Sequence, residues 1–197
     1  VSKANNMGKV LTPKVNFKAI SADGDEIKIR MYENQVLVKQ LGIKEFEAEA
    51  QKIIELASGL SDEQLGERRL IPRLQGLEDS SRFWSVAMTI EHLNIVGEGM
   101  LGIVVSLSRN NNQLPTRGIA DVKPSVDIDP KETIEKFKNL VENFGRLVRK
   151  IDFDKHTELK HPHPWFGPLN AREWTLFAAP HQSIHRKQIE AIIARLK

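Results

Sequence analysis

The sequence predicts an all-α protein, a four-helix bundle with a long crossover between helices 2 and 3, plus a small N-terminal β-hairpin. Three observations predict it. Four stretches carry apolar residues at three-to-four spacing, the period of a helix that buries one face. One region near the N-terminus alternates apolar and polar residues with period two, as half-buried strands do. The connection between the second and third helical stretches holds Pro115, Pro124 and Pro130 over about twenty residues, too long for a tight turn between antiparallel neighbours.

Taken in order, residues 1–14 are polar and unpatterned. Val15, Phe17 and Ala19 then alternate with Asn16 and Lys18, and Ile27, Ile29 and Met31 alternate with Glu26, Lys28 and Arg30. Asp23-Gly24 between them tolerates the positive φ of a hairpin turn, so residues 15–32 read as a two-stranded ribbon. A lone ribbon is marginal in water and must lean on a larger body.

That body is helical. Phe46, Ala50, Ile53, Ile54, Ala57 and Leu60 mark the first helix from about Ile43, with Gly59 as its stop. The chain thus divides into an extension over 1–42 and a bundle over 43–197. The second helix follows Ser85, whose hydroxyl can accept an orphan backbone N–H, and runs through Val86, Met88, His92, Val96, Ile103 and Leu107 to Asn110-Asn111-Asn112. It is apolar nearly all round and is expected to lie deep. The third starts near Pro130, a residue suited to a first turn, and places Ile134, Phe137, Leu140, Val141, Phe144 and Leu147 on one face. After a loop containing His161-Pro162-His163-Pro164, the fourth begins at Asn170, with Glu173 completing a capping box, and continues to the C-terminus.

At 197 residues and 22.4 kDa the chain supports one full apolar core. Its net charge of +3 is spread along the sequence without a dense basic stripe, so nucleic acid is not an expected partner. The absence of cysteine excludes disulfides, thiolate metal sites and cysteine nucleophiles. No uninterrupted apolar run reaches membrane-spanning length and no signal peptide is seen, so a soluble, cytoplasmic protein without a membrane partner is expected. Because residue 1 is Val, a processed or truncated N-terminus keeps an exported form as the alternative.

Chemistry concentrates on histidine. Of six, His92 lies on the second helix, and His181 and His185 lie on the fourth. The i, i+4 spacing of the last two puts both imidazoles on one face, one turn apart, where they can share a metal ion with a nitrogen from a neighbouring helix. All three sit on apolar stripes and therefore point inward, and one cation would satisfy three buried rings at once. The bland alternative is three separate histidines, each bonded to a carbonyl or water. Pro180, just before His181, should kink the fourth helix and aim the pair at His92, or else split the helix.

Other signals are weaker. Gly97-Glu98-Gly99-Met100-Leu101-Gly102 matches a dinucleotide fingerprint literally, but no strand precedes it, so the glycines read as sites of close helix approach or as space beside His92. No nucleotide cofactor is expected. His161 and His163 would line the mouth of a site or shuttle protons, or simply be exposed. Glu91 and Glu98 would supply a base or orient a ring, or pair with neighbouring lysines. Trp84, Trp165 and Trp174 would wall a pocket or fill core.

Trp84-Ser85-Val86-Ala87, Glu91-His92-Leu93, His163-Pro164-Trp165-Phe166-Gly167-Pro168-Leu169, Glu173-Trp174 and the His181/His185 pair together resemble the DinB-like superfamily of four-helix-bundle metalloproteins. The resemblance covers roughly residues 43–197. It implies an up-down-down-up bundle in which one divalent ion, zinc or nickel, is held by His92, His181 and His185. It also implies relatives that are thiol S-transferases or metal-dependent hydrolases. The expected function is a metal-dependent enzyme that activates water or a low-molecular-weight thiol against a small-molecule substrate, with a homodimer among the expected assemblies. The alternative is a non-catalytic binding or dimerisation module whose metal is structural or absent.

Overall fold

The computed structural model describes residues 14–196, so most of the polar stretch that opens the chain lies outside the described residues. The ribbon forms as read: β1 (Lys14–Ile20) and β2 (Glu26–Met31) pair antiparallel, with Phe17 opposite Ile29 and Ala19 opposite Ile27. Gly24 takes a φ of 82° in the turn, as Asp-Gly predicts. Ala19, Ile27 and Ile29 are buried and share one apolar cluster with Trp174, Leu176 and Phe177 of the last helix. This is the body the ribbon leans on.

Four long helices follow: α1 (Ile43–Ser58), α2 (Val86–Ser108), α3 (Pro130–Val148) and α4 (Ala171–Ile193). Helical backbone begins before α1, at Gln35, where Asn34 accepts the Leu37 N–H, and it passes through a π-type turn at Val38–Gly42. The wider turn breaks the 3.6-residue period, which is why apolar periodicity becomes readable only from Ile43. Ser85 caps α2 through the Met88 N–H at 3.1 Å, Asp129 caps α3 ahead of Pro130, and Asn170 and Glu173 form the capping box of α4.

Pairwise contacts fix the helix directions. Asn94 on α2 donates to the Thr133 carbonyl on α3, and a Cβ at Gly97 would stand 2.6 Å from Leu140, so contacts advance together and α2 and α3 run parallel. Likewise Leu176 packs at Gly42 and Arg186 pairs with Glu49, so α1 and α4 are parallel. Glu47 meets Arg149 and Asp62 meets Lys131, while His92 meets His185 and Ser81 meets Gln188; α1/α3 and α2/α4 are therefore antiparallel. The bundle is up-down-down-up. Parallel neighbours α2 and α3 require a connection that travels back along a helix length, and this is the physical need for the long crossover.

One feature departs from the sequence reading, and one of its alternatives is decided. His161–His163 and Gly167–Leu169 form a second hairpin, β3–β4, where a loop was expected. Pro180 lies within an α4 that runs from Ala171 to Ile193 as one element, so the fourth helix is not split. By length and composition alone α2, with a mean hydropathy of 1.3 in its most apolar window, would suffice to cross a membrane; Glu91, His92, Asn94 and Glu98 interrupt its apolar run. In the structure α2 packs against α3 and α4.

Candidate metal centre

The antiparallel crossing of α2 and α4 brings the three predicted histidines together. Ligand-capable atoms of His92, His181 and His185 lie within 4.8 Å of one another. Ring centroids are 4.5 Å apart for His92 and His185, 4.6 Å for His181 and His185, and 5.4 Å for His92 and His181. His92 and His185 are buried, and His181 keeps a partly exposed edge.

The neighbours of two rings determine their tautomers. His92 Nδ1 lies 2.8 Å from the Val122 carbonyl, which can only accept, so Nδ1 carries the proton and Nε2 keeps its lone pair. His185 Nδ1 lies 2.7 Å from Gln188 Oε1, while Gln188 Nε2 donates to the Ser81 carbonyl at 2.8 Å. The amide is thus oriented by Ser81, and His185 also presents an unprotonated Nε2. An acceptor behind each ring is the arrangement that orients metal-ligating imidazoles.

Electrostatics hold the group neutral. Burial pushes His185 down to about 3, with the charge of His92 adding to it and the Gln188 bond opposing. Burial also lowers His92, against the Val122 bond and Glu78, and holds His181 well below the ordinary imidazole range, helped by His185, His92 and His163. Three uncharged nitrogens from two helices, with two lone pairs aimed by fixed protons, fit a divalent cation as a donor set.

The triad opens onto a cleft of about 170 Å³. Its walls are mainly apolar and include Trp84, Trp165, Trp174 and Phe177, so the tryptophans wall the pocket while Trp174 also belongs to the core. The Trp84 ring stands 5.2 Å from His92. His163 also lines the cleft; its Nδ1 accepts the backbone N–H groups of Trp165 and Phe166, and burial lowers it to about 4. His161 is buried rather than exposed, and its carbonyl accepts from Trp174 Nε1 at 3.2 Å. Glu91 and Glu98 turn toward α3, where Lys136 lies 3.6 and 3.8 Å from them. The Gly-rich stretch is mid-helix: Gly97 sits against Leu140 of α3, a close helix approach, while Gly99 lines the cleft that also holds His92.

Sequence reasoning missed several groups here. Val122, Glu78, Ser81, Arg117 and Lys123 reach the site from distant segments with no local pattern to reveal them. Gln188 was legible only as an apolar-stripe position, though its i, i+3 spacing from His185 was the available signal.

A sequence profile described as the DinB superfamily matches residues 45–189. No curated protein matches significantly. Among solved structures, YfiT from Bacillus subtilis, described as a probable metal-dependent hydrolase with an unusual four-helix bundle topology, aligns with a TM-score of 0.55 at 17% identity, covering 80% of this chain and 86% of its own. TT2238, a four-helix bundle protein, aligns with a TM-score of 0.53 at 21% identity, covering 76% of this chain and 95% of its own. The colibactin self-resistance protein ClbS, solved in complex with double-stranded DNA, aligns with a TM-score of 0.57 at 13% identity, covering 81% and 97%.

The last of these corrects one expectation. Exclusion of nucleic acid as a partner does not stand, because a protein of this fold is solved holding duplex DNA. The reasoning failed physically because net charge and interspersion average over the whole surface, whereas phosphate contacts are made by a few local side chains.

Proposed function

Because this chain belongs to the DinB superfamily, we propose that it is a metal-dependent enzyme that sets water or a low-molecular-weight thiol against a small electrophilic substrate. His92, His181 and His185 would hold one divalent ion, zinc or nickel. The observation that carries this reading is the convergence of three neutral imidazoles, two of them with Nδ1 protons engaged behind the ring, on the wall of an apolar cleft.

An ion held there would lower the pKa of water or a thiol entering the cleft. The remaining work belongs to the chain. The Val122 carbonyl and Gln188 fix ring orientation, and aromatic walls exclude bulk water from the reacting atoms. His163, with both backbone bonds at Nδ1, carries its proton on Nε2 and is an uncharged donor among the lining residues at neutral pH. With no cysteine in the chain, any thiol arrives with the substrate. A purely structural site would be closed by a fourth protein ligand; among the described residues the cluster comprises three, which favours an open, catalytic arrangement.

Metal analysis of untagged protein tests the reading. Close to one divalent ion per chain is expected, with loss of the ion in His181→Ala. Absence of metal from the unsubstituted protein overturns it.

A further inference from the structure

The crossover between α2 and α3 contributes two cations to the cleft that nothing above employs. Arg117 and Lys123 both line it. Both are exposed at the rim, and neither side chain forms an ion pair or a hydrogen bond with a described residue. The nearest carboxylate in sequence, Asp121, is engaged with the Gly118 N–H at 2.7 Å. A Cβ at Gly99 would lie 3.7 Å from Arg117 Nη1, so the guanidinium rests beside bare α2 backbone. Gly99 follows His92 by seven positions on one helix face, a rise of about 10 Å. Lys123 follows Val122, whose carbonyl holds His92, and the 3-10 turn Ile119–Val122 separates the two cations. Glu78 is the carboxylate among the lining residues, against two cations.

We infer that Arg117 and Lys123 form an anion-binding subsite at the cleft, selecting small aromatic or apolar substrates that carry a carboxylate or phosphate, which Arg117 would meet roughly 10 Å along α2 from His92. The assignment of a reacting group to the histidines rests on the function proposed above; the anion subsite itself does not require the ion. An unpaired guanidinium beside an apolar wall favours a ligand with an apolar body and an anionic end, since burying the body displaces water while the charge meets a planar donor fork.

The test uses the cleft tryptophans as reporters. Quenching by 4-nitrobenzoate, 4-nitrophenylphosphonate and uncharged 4-nitrobenzamide is titrated against zinc-loaded and zinc-stripped protein. One anion or both should bind roughly tenfold more tightly than the amide in both metal states, and whichever does identifies the anionic group. R117A and K123A should each reduce that preference to about threefold or less while leaving the amide's affinity unchanged. Equal affinities of anions and amide in the unsubstituted protein overturn the subsite, as does a preference that survives the double variant. If the preference holds but no divalent ion is retained, the subsite stands and the metal-dependent reading falls; the converse result separates them the other way. Weakened binding of a short DNA duplex in the double variant, with no preference for the small anions, would assign the pair to DNA and also overturn the proposal.

Discussion

His185 Nδ1 donates to Gln188 Oε1 across 2.7 Å, and the same amide donates onward to the Ser81 carbonyl at 2.8 Å. The chain Ser81–Gln188–His185 couples the segment before α2 to α4 and selects one imidazole tautomer. Gln188→Leu removes the acceptor behind the ring and strands a buried carbonyl. Metal affinity measured by competition with a chromophoric chelator should fall about 10- to 100-fold. Stability of the metal-free protein should drop by about 1–3 kcal/mol. Unaltered metal affinity would separate Gln188 from the centre.

Acid should weaken the metal-free fold through its buried imidazoles. His163 is held at about 4 by burial, against an ordinary value near 6.5. Between those values the unfolded chain takes up a proton that the folded ring refuses, so the stability is fully present above about 6.5 and is lost as pH falls toward 4. The loss from this ring alone is on the order of 3 kcal/mol. Urea denaturation between pH 7 and pH 4 should show at least that slope, and His163→Gln should reduce it, leaving the share of the other buried imidazoles. A pH-independent midpoint over this range would contradict the burial.

Gly76 lines the cleft with a φ of +79°, and a Cβ there would stand 3.1 Å from Ile184 Cδ1. Backbone strain and crowding act in the same direction. Gly76→Ala should destabilise the protein by about 1–2 kcal/mol, read from the denaturation midpoint. A neutral or stabilising effect would mean that the loop does not hold this conformation.

Trp174 joins α4 to the β3–β4 hairpin by donating to the buried His161 carbonyl at 3.2 Å. Trp174→Phe keeps most of the apolar contact and removes the donor. A cost of about 1–3 kcal/mol is expected from the unsatisfied carbonyl. Hydrogen exchange in residues 161–169 should accelerate with it, and unchanged exchange would show that the hairpin is held by packing alone.

Legibility followed the range of the interaction. Ser85 and Asn170 were readable as helix starts because a cap bonds within three residues of itself, and Pro130 because its fixed φ and missing N–H suit a first turn. The pair His181 and His185 was readable because i, i+4 spacing is a property of any helix, and the helix continues through Pro180. The β3–β4 hairpin was not readable: prolines at 162, 164 and 168 erase the alternating pattern, and the strands are only three residues each. The crossover was readable only as a long connection, yet its Val122 carbonyl orients His92 and its Arg117 and Lys123 line the cleft. The misjudged exclusion of nucleic acid came from the same limit, since a composition carries no map of where charges lie.

By itself the amino-acid order determined the four long helices, the caps at Ser85 and Asn170, the N-terminal ribbon and the inward histidine stripes. Each depends on periodicity or on hydrogen bonds spanning a few residues. Tertiary structure alone decided the parallel pairing of α2 with α3, the orientation of each imidazole and the cationic edge of the cleft. Those depend on segments tens of residues apart being pressed together. The acceptor behind a ring or the bare backbone beside a guanidinium exists only once packing has chosen which distant groups become neighbours.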